Sequence, residues 1–220
     1  SLGIYKNGGT LTRNPGKTVI FNGTDNNSAL GYYLENATSD FSSAALNANT
    51  LKMNNGIAFL LKGAGAQVTV NGVPITNTDL NKLGLDPKVE RFVYSDKQEI
   101  VTGDITLDPA VRYYGYHTID GRLEINANIF TNNNILTTYW ALAQERYSLG
   151  SEEVLLGSGK VIDMSNSTGS IAIEALGGAR VKNDGTIKVG LSDSTSSGVG
   201  ILGESTNVPS LLKTRIENSS

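Results

Sequence analysis

GSIAIEALGGARVKNDGTIKVG, residues Gly169–Gly190, decides how the chain is read. Two short runs, IAIEA and TIKVG, alternate in side-chain character with period two. That places one set of side chains on one face of a strand. Between them lie GG and NDG, residues that reverse the chain because they accept a positive φ or form side-chain turns. Strands this short cannot bury an apolar face alone. They can if similar turns stack above and below.

The same phrase returns elsewhere in the chain. It reads LGIYKNGGTL at Leu2–Leu11, LGYYLENAT at Leu30–Thr38, NGIAFLLKGAGAQVTV at Asn55–Val70 and GVGILGEST at Gly198–Thr206. With Gly3, Gly31, Gly56, Ser170 and Gly200 as marks, the intervals are 28, 25, 114 and 30, the long one close to four short ones. A recurrence of 25–30 residues suits one rung of a β-helix. Rungs stack at about 4.8 Å, and Asn at the corners can bond to Asn in ladders. The expected fold is all-β, a parallel β-helix or solenoid. An antiparallel β-sandwich is the alternative, since it too is built from short, evenly spaced strands.

Composition agrees with a chain of many turns. There are 25 Gly, 22 Asn, 20 Ser and 20 Thr, and only 18% of residues are charged. Net charge is −3 without a basic cluster, so no nucleic-acid partner is expected. The chain has no Cys, which excludes disulfides, thiol catalysis and Cys-ligated metal. No cofactor or metal is expected. No apolar run is long enough to span a bilayer as a helix, and no signal peptide opens the chain. Both ends read as cuts inside a longer repetitive protein, and exposed sheet edges there would favour end-to-end association.

The repeat weakens in the middle. The expected organisation is therefore rungs at 1–75, irregular rungs or an inserted subdomain with short helices at 76–156, and rungs again at 157–220. TNTDLNKLGLDP at Thr76–Pro87 reads as a short helix capped by Asn77 or Thr78 and stopped by Gly84. Val89–Asp108 reads as two strands joined by an acidic turn. Arg112–Phe130 reads as a Tyr-rich strand, a turn at Asp120–Gly121 and another strand. ILTTYWALAQERYSLG at Ile135–Gly150 has helical composition.

Few residues suggest chemistry. Gly198–Gly203 fits G-x-G-x-x-G but lacks the following helix of a dinucleotide site. His117, the single His, reads as a surface or loop residue. Asp104, Asp108, Asp120 and Glu124 could serve a glycosidase pair, but they also suit solvated strands and turns. The aromatic residues of the middle, Tyr113, Tyr114, Tyr116, Tyr139 and Trp140, are the ligand-binding candidates. Tyr and Trp supply flat faces for sugars and dominate protein-binding hot spots.

The phrases SLGIYKNGGTL, VKNDGTIKVG and SSGVGILGEST resemble the passenger repeats of large type V autotransporter adhesins, particularly the fusobacterial RadD-like outer-membrane proteins. The likeness covers Ser1–Thr38 and Gly169–Thr206, about a third of the chain. It implies a right-handed parallel β-helix exported through the outer membrane to the bacterial cell surface. It also implies attachment to a surface protein or glycan of another bacterium or a host cell, with roles in coaggregation and virulence. On this reading the parent protein is membrane-anchored, while the segment itself is soluble and not an enzyme. A purely structural stalk and a polysaccharide-degrading β-helix enzyme are the alternatives.

Overall fold

The computed structural model describes residues 1–21, 29–85, 89–107, 114–131, 139–144, 153–167, 170–190, 198–204 and 214–219, with backbone alone for Tyr114 and 139–144. The chain is a β-solenoid of stacked parallel strands. It divides into two compact units, Ser1–Tyr94 and Ser95–Ser220.

Unit 1 repeats a coil of three strands. The first coil has β1 (Leu2–Asn7), β2 (Thr10–Arg13) and β3 (Val19–Phe21). The second has β4 (Leu30–Glu35), β5 (Thr38–Phe41) and β6 (Leu51–Met53). The third has β7 (Gly56–Lys62), β8 (Gln67–Val70) and β9 (Val73–Pro74), then helix α1 (Asn77–Leu80), β10 (Gly84–Leu85) and the next strand, β11 (Val89–Ser95). Equivalent strands pair in parallel. Leu2 lies beside Leu30 and Leu30 beside Ile57; Thr10 lies beside Thr38 and Thr38 beside Gln67. The sandwich alternative is overturned by these ladders. Among the described residues the antiparallel pair is the small β8–β9 hairpin.

Unit 2 uses the same plan. Its strands are β12 (Glu99–Thr102), β13 (Ile105–Leu107), β14 (Tyr114–Ile119), β15 (Leu123–Asn126), β16 (Ile129–Thr131), β17 (Tyr139–Gln144), β18 (Glu153–Leu156), β19 (Val161–Met164), β20 (Ile171–Leu176), β21 (Arg180–Asn183), β22 (Thr186–Val189), β23 (Val199–Glu204) and β24 (Arg215–Asn218). Every third strand joins one sheet: β14-β17-β20-β23, β12-β15-β18-β21-β24 and β13-β16-β19-β22.

One corner explains why the coils superpose. The residue after the first strand takes a left-handed conformation in five of the described coils, at Gly8, Asn36 and Gly63 in unit 1 and at Asp120 and Gly177 in unit 2, but not at Asp96 after β11. Gly, Asn and Asp are the residues that tolerate it. Polar side chains then tie neighbouring coils together. The Asp104 carboxylate accepts from the Asn128 N–H at 2.8 Å and from its side-chain amide at 3.0 Å. Asn128 Oδ1 in turn accepts from the Val161 N–H at 3.0 Å, one coil further on. Asn183 donates to Asn218 at 3.2 Å, the expected Asn-to-Asn contact.

Several local expectations need correction. Gly3 and Gly31 stack as expected, but Gly56 and Ser170 lie two residues out of register: Gly31 falls beside Ala58, not Gly56, and Gly200 beside Ala172, not Ser170. The small residue is wanted where the ladder is interrupted and two adjacent residues, Gly31 and Tyr32 or Ala58 and Phe59, are both buried. A Cβ on Gly31 would lie 2.6 Å from the Ala58 carbonyl oxygen. The short helix exists, but its cap is Thr76, whose hydroxyl accepts from the Asp79 N–H while Asp79 bonds back to Thr76. It has given way before Gly84, which belongs to β10. Within Ile135–Gly150, Tyr139–Gln144 is a strand and not a helix, because pairing with β14 and β20 overrides helical composition.

Candidate interaction surface

Alternation along β1, β4 and β7 sends one set of side chains outward. In-register stacking turns each outward position into a row that crosses the coils. One row is Tyr5, Tyr33 and Leu60; the next is Asn7, Glu35 and Lys62. Tyr5 is 50% exposed, and Tyr33 and Leu60 are half-buried. The two rings sit 5.1 Å apart, tilted by 57°, within the range of favourable aromatic pairs. The Tyr5 hydroxyl donates to Glu35 Oε2 at 2.7 Å. That bond raises the Tyr5 pKa, since losing the proton would set two negative oxygens together. Lys62 lies 3.7 Å from the same carboxylate. Tyr33 first, then Glu35, raises its pKa and keeps it cationic. The result is an aromatic strip with one carboxylate and one ammonium along its edge.

The residues chosen from sequence fall elsewhere. Tyr116 is 4% exposed, its pKa pushed up by burial, so its ring cannot meet an external ligand. Tyr113 lies outside the described residues. Tyr114 belongs to β14 and Tyr139 and Trp140 to β17, with backbone positions alone described. By register Trp140 occupies the small-residue position shared with Gly115, Ala172 and Gly200. No family model, curated protein or solved structure matches this chain.

His117 is not a surface residue. It is 6% exposed in β14, in one row with Leu142 and Glu174, itself 8% exposed. Both faces of β20 are buried from Ile171 to Ala175. The carboxylates considered for acid–base chemistry are occupied by structural tasks: Asp104 with Asn128, Asp120 at a left-handed corner, Glu124 with Asn126 at 2.7 Å and Arg122 at 3.9 Å. Asp108 lies outside the described residues. Of the Gly198–Gly203 motif, Gly200 and Gly203 lie in strand β23, paired with β20, so they serve stacking and not a nucleotide loop.

The aromatic strip was missed although its signal is present. LGIYKN and LGYYLEN, aligned on Leu-Gly, put Tyr5 over Tyr33 at a spacing of 28.

Proposed function

We propose that this chain is a segment of a bacterial cell-surface adhesin of the autotransporter passenger type, and that it contacts its partner through the outer face of β1, β4 and β7. The observation that carries the reading is the exposed stack of Tyr5 on Tyr33, bordered by Glu35 and Lys62. Aromatic groups with a polar rim are the side chains that dominate recognition of proteins and sugars. A solenoid suits the task because its outward rows lengthen with each coil. A purely structural stalk is the second reading. It is favoured by the charges of unit 2, which satisfy one another: Glu153 lies between Arg122 at 3.9 Å and Arg180 at 3.7 Å.

The test is binding of the labelled chain to a panel of bacterial and mammalian cells, beside Tyr5→Ser/Tyr33→Ser. Circular dichroism first establishes that both proteins are folded. The adhesin reading expects the double substitution to weaken binding at least tenfold. Undiminished binding by the variant would remove the aromatic strip from the site, and no binding by either protein would leave the stalk reading.

A further inference from the structure

The sheet formed by β3, β6 and β10 carries a hollow separate from the aromatic strip. Ile20, Lys52 and Gly84 follow one another in register across that sheet. Ile20 is 59% exposed, and Lys52 is exposed as well. Gly84 ends the row without a side chain, and none fits there: a Cβ would lie 2.3 Å from the Ala48 carbonyl oxygen. Between this row, the turn at Ala48 and Asn49, and Asn54 lies a space of about 410 Å³, open to solvent.

The turn that walls the hollow is held in place by the protein itself. Asn47 Oδ1 accepts from the Asn49 N–H at 2.9 Å, and its side-chain amide donates to the Ala44 carbonyl at 3.2 Å. The Asn47 carbonyl accepts from the Thr50 N–H at 3.0 Å. The Thr50 carbonyl accepts from the Val19 N–H at 3.0 Å, which ties the turn to β3. Groups already placed lose less conformational freedom on binding. Lys52 supplies the charge. Among the described residues no carboxylate lies within ion-pair distance of it, whereas Lys62 and Lys82 of the same unit are each paired.

A single exposed isoleucine is ordinary. Here it stands beside an unpaired ammonium and two side-chain amides, in a hollow within the roughly 300–1,000 Å³ of small-molecule sites. The set offers one apolar surface, one cation and two groups that both donate and accept. A pyranose bearing a carboxylate has the complementary parts: an apolar C–H face, hydroxyls that donate and accept, and an anion. A neutral sugar would leave Lys52 unpaired. A simple carboxylate would leave Ile20 and the amides unused.

We propose that this hollow binds one acidic sugar residue, a uronic acid or a comparable carboxylated pyranose. Lys52 takes the carboxylate, Asn49 and Asn54 take hydroxyls, and Ile20 covers the C–H face. The site lies on a different sheet from β1, β4 and β7 and does not depend on attachment through that face.

The probe is sodium glucuronate, followed by NMR through the Ile20 methyl and the Asn49 and Asn54 side-chain amide resonances. Glucose and sodium acetate are the references, at matched ionic strength. Saturable shifts centred on those groups are expected, with glucose and acetate each binding at least tenfold more weakly. Absence of saturation, or equal affinity for glucose, overturns the proposal. Equal affinity for acetate reduces the contact to a bare ion pair and overturns it too. Lys52→Gln should weaken glucuronate binding at least tenfold. Lys188→Gln, which removes a cation paired with Asp163 in unit 2, should leave it unchanged. Asn49→Asp keeps Lys52 but adds an anion to the hollow, so binding should fall below detection. All three positions are exposed, and circular dichroism checks that each variant is folded. Undiminished binding by either Lys52→Gln or Asn49→Asp is equally fatal.

Discussion

Units 1 and 2 run the same coil with different fillings. Unit 1 packs rings: Phe21, Tyr32, Phe41 and Phe59 meet edge-on or tilted, at centroid distances from 5.3 to 6.5 Å. Unit 2 fills the equivalent space with aliphatic residues, among them Leu123, Ile125, Ile129, Val154, Leu156 and Ile162, all fully enclosed. Coil length varies too. Glu99 pairs with Leu123 after 24 residues, but Leu123 with Val154 after 31. Strand lengths hardly change, so the additional residues lie in the connections. The parallel ladder and the left-handed corner therefore fix the coil, while core volume can be supplied in more than one way. What differs functionally is the outside. The first sheet of unit 1 exposes an aromatic strip, whereas β20 of unit 2 is buried on both faces.

If stacking, and not turn geometry alone, constrains the chain, glycines at close coil contacts should tolerate a side chain far less than glycines in open turns. Gly56 and Gly159 both have positive φ, 85° and 70°. A Cβ on Gly56 would lie 1.9 Å from the Ala29 carbonyl oxygen in the adjacent coil, whereas one on Gly159 meets nothing within 4 Å. Gly159→Ala carries only backbone strain, about 1–2 kcal/mol. Gly56→Ala must also push two backbones apart, and a loss above about 4 kcal/mol is expected. Urea unfolding midpoints of the two variants measure the difference. Equal losses would mean that close coil contact in unit 1 is not a constraint.

Much of this plan was legible in the sequence. Period-two runs, Asn/Gly corners and a recurrence of 25–30 residues specify a stack of coils. Register was harder, because a two-residue shift keeps the same face outward and leaves the alternation pattern unchanged. Gly56 and Ser170 looked like equivalents of Gly31 and Gly200, yet Ala58 and Ala172 hold those positions. The Tyr139–Gln144 segment misled for another reason: Ala, Leu and Gln favour helix, and the ladder that overrides them is non-local. Burial of Tyr116 and His117 was equally hidden, since alternation names two faces without saying that both are covered.

A smaller effect comes from carboxylates that accept hydrogen bonds from the adjacent coil, and there the two units should agree. Asp40 in unit 1 accepts from the Thr69 hydroxyl at 2.6 Å and from the Gly72 N–H at 2.9 Å. Asp104 in unit 2 accepts from the backbone and side chain of Asn128. These bonds favour the charged form and hold both pKa values below the ordinary carboxylate value. A depressed folded pKa contributes stability that is complete above the unfolded pKa, near 3.9 for Asp, and disappears as pH falls through the folded value. Asp104→Asn and Asp40→Asn should each cost about 1 kcal/mol at pH 7, allowing for their solvent exposure. The difference from the native chain should shrink as pH falls below the unfolded pKa and close as it passes the folded one. A constant difference from pH 7 to pH 2 in thermal unfolding would show that ionisation is not involved.

The smallest effect sharpens the contrast between the outer surfaces. Glu153 bridges Arg122 and Arg180, whose side chains are nearly half exposed. Glu35 lies between Tyr5 and Lys62. In water such contacts stabilise weakly and are screened by salt. Glu153→Gln and Glu35→Gln should therefore each shift stability by no more than about 0.5 kcal/mol, less still at high salt. Their effects on cell binding should diverge. Glu35 orients the Tyr5 hydroxyl and anchors Lys62, so its loss disorders the rim of the aromatic strip and should weaken attachment severalfold. Glu153 is held between Arg122 and Arg180 and touches no part of the strip, so binding should be unchanged. Equal losses of binding from two substitutions of equal stability would assign attachment to net charge and not to the strip; a loss confined to Glu35→Gln would locate it on the outer face of β1, β4 and β7.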